Sequence, residues 1–149
     1  MEPIEELRYL VLGAQREGAR ALAELLRPAG LTAAQAEVIA VLRDASQPLT
    51  LREVGERLVC ETGSPSRLVA SLVAAEMIER SERSSDRRAV ELSLTAEGRR
   101  AARQVADAEQ RLHDALTAPL SDRDITAVVR ALRKLVAGRP AGDALARRR

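Results

Sequence analysis

The chain has 149 residues, the length of one domain, which allows a sizeable core but excludes a catalytic domain joined to a separate regulatory one. Hydrophobic residues make up 46% and aromatic residues 1%, so the core has to be built from Leu, Val, Ile and Ala, which favours helices. The net charge of +2 does not indicate a nucleic-acid partner by itself.

Arginine dominates the cations, because Lys134 is the one lysine among the 24 Lys and Arg residues. Arginine forms planar, bidentate contacts with phosphate and guanine, but a high arginine content also follows from genome composition alone. The placement of the arginines along the chain therefore has to decide between nucleic-acid binding and genome composition as the explanation.

A single cysteine, Cys60, excludes an internal disulfide framework and a cysteine-based metal cluster, which is typical of the reducing cytoplasm. The stretch from Met1 to Glu6 has the character of neither a basic leader nor a secretory signal, and no apolar run approaches membrane-spanning length. We expect a cytoplasmic protein with no membrane partner.

The first predicted element is an amphipathic helix from Ile4 to Leu26, ended by Pro28 and Gly30. Its apolar residues recur at three- and four-residue intervals and are Ile4, Leu7, Val11, Ala14, Ala21, Leu22 and Leu25. A capping box from Thr32 to Gln35 opens the next helix, which ends at Ser46-Gln47-Pro48. The buried positions predicted on this helix are Val38, Ile39 and Leu42.

Two short helices follow. A capping box from Thr50 to Glu53 opens the first, with Leu51, Val54 and Leu58 predicted to point inward. Ser64 is the predicted N-cap of the second, with Pro65 at its first position. The predicted buried face of this second helix consists of Leu68, Val69, Leu72 and Val73, and the predicted exposed face of Ser66, Arg67, Ala70 and Ser71. Small exposed side chains would let the helix lie close to base edges.

The hydrophobic period changes after Met77, where residues 78–83 and 88–94 alternate between apolar and polar. This pattern predicts a two-stranded hairpin with Ser84-Ser85-Asp86 as its turn and with Val90, Leu92 and Leu94 on one face. A helix-turn-helix followed by a basic hairpin is how a small protein reads duplex DNA.

The remaining sequence predicts a long helix capped by Thr95 and running to about Leu116, and a last helix capped by Ser121 and ending near Val136. Residues 138–149 have too few apolar side chains to pack, so we expect a disordered tail. The apolar stripes of the first and last helices exceed what a three-helix core can cover, which predicts a dimer interface.

The fold class predicted is therefore mainly α with a small β-hairpin. Residues 31–116 form a winged helix-turn-helix DNA-binding region with its long linking helix, and residues 1–30 and 117–137 form the dimerisation helices. A homodimer would place two recognition helices about one DNA turn apart, roughly 34 Å, and would require a pseudo-palindromic operator in double-stranded DNA.

The sequence resembles the MarR (multiple-antibiotic-resistance regulator) family of winged helix-turn-helix repressors. The resemblance rests on Leu49-Thr50, Glu53-Val54, Leu58, Ser66-Arg67-Leu68-Val69, Leu72, Ile78-Glu79-Arg80, Asp86-x-Arg88 and Leu94-Thr95-x-x-Gly98. The last two patterns have the spacing of the family's wing. Met77 departs from the family, whose members usually have a glycine there, and this leaves room for a different exit turn.

The resemblance implies roles for named residues. The recognition helix would contact DNA through Ser64, Ser66, Arg67 and Ser71, and the wing through Arg83, Arg87 and Arg88. Asp86 would pair with a nearby arginine and fix the hairpin. The resemblance also implies a small-molecule effector bound between the dimer helices and the winged region. Aromatic side chains often line such sites in the family, and this chain offers Tyr9 alone.

Other readings of single residues are weaker. The wing arginines could form a solvated turn balanced by Glu79, Glu82 and Asp86, but a recognition helix directly upstream favours insertion into the minor groove. Cys60 follows apolar Leu58-Val59 and fits an inert thiol better than a redox sensor. His113 lacks a second His or Cys to complete a metal site and is read as a surface residue.

The sequence shows no catalytic constellation and implies no cofactor or metal. We therefore predict a homodimeric, sequence-specific transcriptional repressor released by a small ligand, and not an enzyme. The alternative is a winged-helix module that binds a protein partner and has lost DNA affinity.

Overall fold

The computed structural model describes residues 1–59, 64–83 and 86–148, with the backbone alone for residues 83 and 86–89. The helices are α1 (Pro3–Leu26), α2 (Ala33–Asp44), α3 (Leu51–Gly55), α4 (Pro65–Ala74), α5 (Ala96–Thr117), α6 (Asp122–Val136) and α7 (Pro140–Arg147). The strands are β1 (Leu49–Thr50), β2 (Ile78–Arg83) and β3 (Asp86–Leu94). The predicted fold class, mainly α with a small winged hairpin, is confirmed.

The core lies around α2, which is buried on nearly all sides. Its buried residues are Ala36, Val38, Ile39, Ala40, Val41 and Leu42, which include the three predicted from the sequence. Against them pack Val69 and Leu72 of α4, Leu92 of β3, and Val105 of α5. This single cluster fixes α4 and the base of the β2–β3 hairpin relative to each other.

The sheet has three strands in the order β1-β3-β2, all antiparallel. Strand β1 pairs Leu49 with Leu92, so it ties the start of α3 to the wing. The sequence analysis missed β1, because two residues are too few for an alternating pattern to appear. Strand β3 begins at Asp86, two residues before the predicted start, and there it pairs with Arg83.

The predicted helix caps are confirmed at four helices. Thr32, Thr50 and Ser121 each accept from the backbone amide three residues on in a complete capping box, and Thr95 accepts from the amide of Gly98. Ser64 is the N-cap of α4 by position, but its side chain makes no capping bond. Caps depend on residues close in sequence, which explains why the sequence locates them.

The structure corrects two further predictions. Leu51 was expected to point inward but is 40% exposed at the start of α3, where Val54 alone is fully buried. The expected disordered tail contains a helix instead, since α7 spans Pro140–Arg147 and buries Ala144. The physical reason is that α7 gains its contacts from residues about a hundred positions away, which composition does not reveal.

The terminal helices have much less cover than the winged region. Helix α1 packs on α5 through its C-terminal half, which ends at the fully buried Leu26, whereas its N-terminal half is exposed. Helix α6 buries none of its residues. Among the described residues, no single helix is long and apolar enough to span a membrane; one pair, residues 3–29 and 33–44, meets those criteria only jointly and is bent by 75°.

Candidate nucleic-acid interface

The outer face of α4 presents small polar side chains and one arginine to solvent. The structure exposes Ser66, Arg67, Ala70 and Ser71, as predicted, and half-buries Ser64 at the N-cap. The opposite face is held in the core by Val69 and Leu72, both at most 1% exposed. A flat or grooved partner can therefore approach the exposed face of α4 closely.

The N-terminus of α4 is electrostatically positive. Helices α1, α3, α5, α6 and α7 each carry an acidic residue in the first turn, whereas α2 and α4 have none, and α4 carries Arg67 there. The positive end of the helix dipole and the guanidinium thus add their charges at one end. The hydroxyls of Ser64 and Ser66 lie 2.7 Å apart and share a hydrogen bond at the same end.

Ser71 is fixed by α2 through a contact that the sequence analysis missed. Gln35 donates from Nε2 to Ser71 Oγ at 3.0 Å, and Ser71 donates to the carbonyl of Leu68 at 2.7 Å. The same Gln35 side chain accepts from the amide of Thr32 in the capping box. Because both ends of the Gln35 amide are used, the N-terminus of α2 holds the middle of α4 in place.

The exit turn from α4 uses a left-handed residue without a glycine. Glu76 has φ of 57°, the amide of Met77 donates to the carbonyl of Leu72 at 2.9 Å, and the amide of Glu76 donates to Val73. This bond pattern is a Schellman motif, in which glycine is the usual left-handed residue. Glu76, one residue before the position at which the family departure was noted, takes that conformation here.

The exit turn is fastened to the start of α5 by Thr95 and Gly98. The hydroxyl of Thr95 donates to the carbonyl of Glu76 at 2.5 Å and accepts from the amide of Gly98 at 3.0 Å. A Cβ on Gly98 would overlap the carbonyl oxygen of Met77. The Leu94-Thr95-x-x-Gly98 pattern therefore joins three elements: the end of α4, the end of β3 and the first turn of α5.

The wing carries the remaining predicted contacts. Arg83 is the last residue of β2, and Asp86, Arg87 and Arg88 are the first three residues of β3. All four therefore lie on the two strands next to residues 84–85. Their side chains lie outside the described part of the chain. The groove contacts of the three arginines and the pairing of Asp86 stay predictions.

A cavity of about 530 Å³ lies between the end of α2, the base of β3 and the first half of α5. Its floor is apolar, with Leu42, Leu92 and Ala102, and its lining includes Arg99 and Arg103. At its edge Arg43 binds Asp44 at 2.7 Å and Glu109 of α5 at 2.9 Å. These hydrogen bonds, above all the one with Asp44, raise the pKa of the Arg43 guanidinium against the opposing effect of partial burial.

Two single-residue predictions remain, at His113 and Cys60. His113 is exposed on α5, as expected. In residues 1–59, 64–83 and 86–148, no group of three or more His, Cys, Asp or Glu side chains could hold a metal ion. Cys60 lies outside the described residues.

Comparison with known proteins gives the class of the molecule. Residues 31–98, from just before α2 to the first turn of α5, match the family model described as a winged helix DNA-binding domain. No curated protein sequence gives a significant match. The chain thus contains a winged helix DNA-binding domain, built from the elements that surround the face of α4.

Solved structures of MarR regulators resemble this chain over most of its length. A MarR mutant from E. coli, complexed with operator DNA, is 29% identical with a TM-score of 0.78 over 89% of this chain and 95% of that chain. Wild-type MarR from E. coli in the apo form is 28% identical with a TM-score of 0.69 over 91% of this chain and 98% of that chain. BpsR of Bordetella bronchiseptica, whose DNA binding is regulated by 6-hydroxynicotinic acid, shares the fold at 22% identity, with a TM-score of 0.80 over 93% and 98%. The predicted resemblance to the MarR family is confirmed, and the chain has the winged helix fold of its transcriptional regulators.

Proposed function

We propose that this protein is a homodimeric transcriptional repressor that binds a pseudo-palindromic operator in double-stranded DNA and is released by a small-molecule effector. The exposed face of α4 carries the proposal, because a positive helix end, Arg67 and small side chains occur together there. Arg67 would contact base edges or phosphates in the major groove, and Ser64, Ser66 and Ser71 would add hydrogen bonds. Arg83, Arg87 and Arg88 would grip the minor groove.

The overall conformation supports this role. The MarR mutant in its operator complex superposes better on this chain than apo wild-type MarR does, with TM-scores of 0.78 and 0.69. The overall conformation of this chain is thus nearer to that of the operator-bound protein. Little rearrangement would be needed for DNA binding.

The homodimer is supported by the uncovered apolar side chains of the terminal helices. Those at least 39% exposed in α1, α6 and α7 are Ile4, Leu7, Tyr9, Leu10, Val11, Leu12, Val128, Val129, Leu132, Leu135 and Leu145, and Leu116 and Leu120 lie exposed just before α6. An apolar surface of this extent on helices at both ends of the chain suits a second copy of the same chain. The dimer would space the recognition helices about 34 Å apart, one turn of DNA.

The cavity between α2, β3 and α5 supports an effector site. A ligand there would contact both the base of the wing and the linking helix, so it could change the angle between them and hence the spacing of the two recognition helices. The regulation of BpsR, a protein of the same fold, by a small organic acid is consistent with such a device.

The proposal is tested by footprinting on the DNA upstream of the protein's own coding sequence. The unaltered protein is expected to protect a symmetric site, with an affinity that falls steeply with salt because counterions are released. Arg67→Ala should weaken binding by about 10- to 150-fold, the cost of losing a base or phosphate contact. The matched control is Arg16→Ala on α1, an exposed arginine that should leave the affinity unchanged.

Two outcomes would contradict the proposal. One is the absence of any protected site together with an affinity for duplex that does not respond to salt, which would favour the protein-interaction module. The other is an equal effect of Arg67→Ala and Arg16→Ala, which would remove α4 from the interface.

A further inference from the structure

A carboxylate on α2 connects the C-terminal helix to the segment that leads into the recognition helix. The side chain of Glu37 is 9% exposed. Its Oε1 accepts from the amide of Val59 at 2.7 Å and from Nη1 of Arg148 at 3.0 Å. Val59 follows α3, and the chain reaches the N-cap of α4 five residues later, so three distant segments meet at one oxygen atom.

A second ion pair lies beside the first. Arg147 Nε lies 3.9 Å from Oε2 of Glu56, the residue that ends α3, and Glu56 also accepts from Arg52 at 2.9 Å. Ala144 of the same helix is 3% exposed. Two adjacent arginines at the C-terminal end of α7 thus connect this helix to the winged region.

The buried carboxylate of Glu37 is stabilised electrostatically by Arg148. A cation nearby offsets the loss of hydration of a carboxylate that is so little exposed. Arg148 supplies that cation and has 26% of its side chain exposed, so water screens the pair only in part. Held by Arg148, Glu37 keeps its acceptor aimed at the amide of Val59, five residues before the N-cap of α4.

We propose that α7 is a latch for the recognition helix: Arg148, acting through Glu37, positions the Val59 segment and with it the N-terminus of α4. Arg147 and Glu56 hold the same helix at α3. The consequence for DNA rests on the proposed function, whereas the positioning itself does not. Glu37 and Arg148 are positioning residues, since neither belongs to the exposed face of α4.

Hydrogen exchange of the full chain tests the positioning without any DNA. In Arg148→Ala the Val59 amide should exchange about fivefold faster, the effect of losing one partly screened ion pair, while the urea midpoint of global unfolding stays unchanged. Arg148→Lys should restore slow exchange because it keeps the charge. Arg16→Ala, at an arginine with no ion pair in the described residues, should have no effect.

Glu37→Gln supplies the partner experiment. Glutamine keeps an oxygen for the Val59 amide but loses the charge that attracts Arg148, so it should accelerate exchange as Arg148→Ala does. The two changes combined should accelerate it no further, because both break the same contact. Unchanged Val59 exchange in both single variants, or full additivity of the two, would overturn the latch.

Binding to a mixed-sequence duplex of about three helical turns separates the latch from simple charge effects. Arg148→Ala removes a positive charge and Glu37→Gln a negative one, so electrostatics alone would move the affinity in opposite directions. The latch predicts that both lower it, by about threefold. Opposite shifts would refute the link to DNA, and faster Val59 exchange in a protein that binds no duplex would refute the proposed function while the positioning role stands.

Discussion

The winged region and the terminal helices use the same amphipathic pattern with opposite results. Helix α5 buries Ala101, Ala102, Val105 and Ala108 against the chain's own core, whereas α6, with apolar residues at the same spacing, buries none. A periodic apolar stripe therefore shows that a helix has a face to cover but not which molecule covers it. The apolar faces of the winged region are buried within this chain, whereas those of the terminal helices are largely exposed.

The largest expected effect falls on the completed region. Gly98→Ala should destabilise the protein by about 3 kcal/mol, because the new Cβ overlaps the Met77 carbonyl and backbone cannot easily move aside. Gly18→Ala on α1, where a Cβ meets nothing within 4 Å, should instead stabilise it by about 0.5 to 1 kcal/mol. Urea unfolding measures both, and a loss of stability at residue 18 would show that α1 is more tightly covered than the single chain indicates.

The next effect concerns the uncovered region. Leu132→Glu on α6 should weaken dimerisation by about 30-fold or more, because it would bury an unpaired charge in the proposed interface. Arg130→Gln, which changes the net charge by the same one unit on the polar side of α6, should have a much smaller effect. Sedimentation equilibrium gives both dissociation constants; equal values for the two variants would place the interface elsewhere.

A smaller effect is expected at the boundary between α4 and the wing. Glu76→Gly should stabilise the fold by about 0.5 kcal/mol, since glycine adopts the left-handed conformation without strain but loses more freedom on folding. Ala74→Gly, two residues earlier and inside α4, should destabilise it by about 1 kcal/mol. Thermal unfolding compares them, and the same sign for both would mean that the turn is not strained.

The smallest effect is a dependence on pH in α6. The hydrogen bonds from Ser121, first the one from its side chain, hold the pKa of Asp124 below its ordinary value of 3.8. A lowered native pKa means that the cap stabilises α6 above that ordinary value and loses this contribution as the pH falls through the native pKa. Titration of the carboxyl by NMR measures the shift, Asp124→Asn should abolish the pH dependence, and a native pKa at or above 3.8 would contradict the capping box.

Sequence reasoning succeeded where the determining residues are neighbours. The caps at Thr32, Thr50 and Ser121 and the exposed face of α4 follow from residues at most eight positions apart. It failed at β1, which exists because Leu49 pairs with Leu92, and at α7, whose arginines reach Glu37 and Glu56. Such contacts depend on the finished fold, and no local pattern encodes them.

For the candidate site the same division holds. Arg67 and the serines of α4 could be predicted because helical spacing decides which side chains face outward. The support that Gln35 gives to Ser71 could not, because Gln35 already had a sufficient explanation as a capping residue. A side-chain amide whose oxygen has one role in a cap can have a second role through its nitrogen.

The Thr95 hydroxyl, bonded both to the turn after α4 and to the first turn of α5, has a mechanical consequence. Because of these two bonds, α4 and the β2–β3 hairpin should move with α5 as one rigid body when α5 tilts. In the proposed homodimer, adaptation to a different operator would therefore proceed by exchange of exposed side chains while the backbone stays unchanged, and the proposed effector would act by changing the distance between the two winged regions.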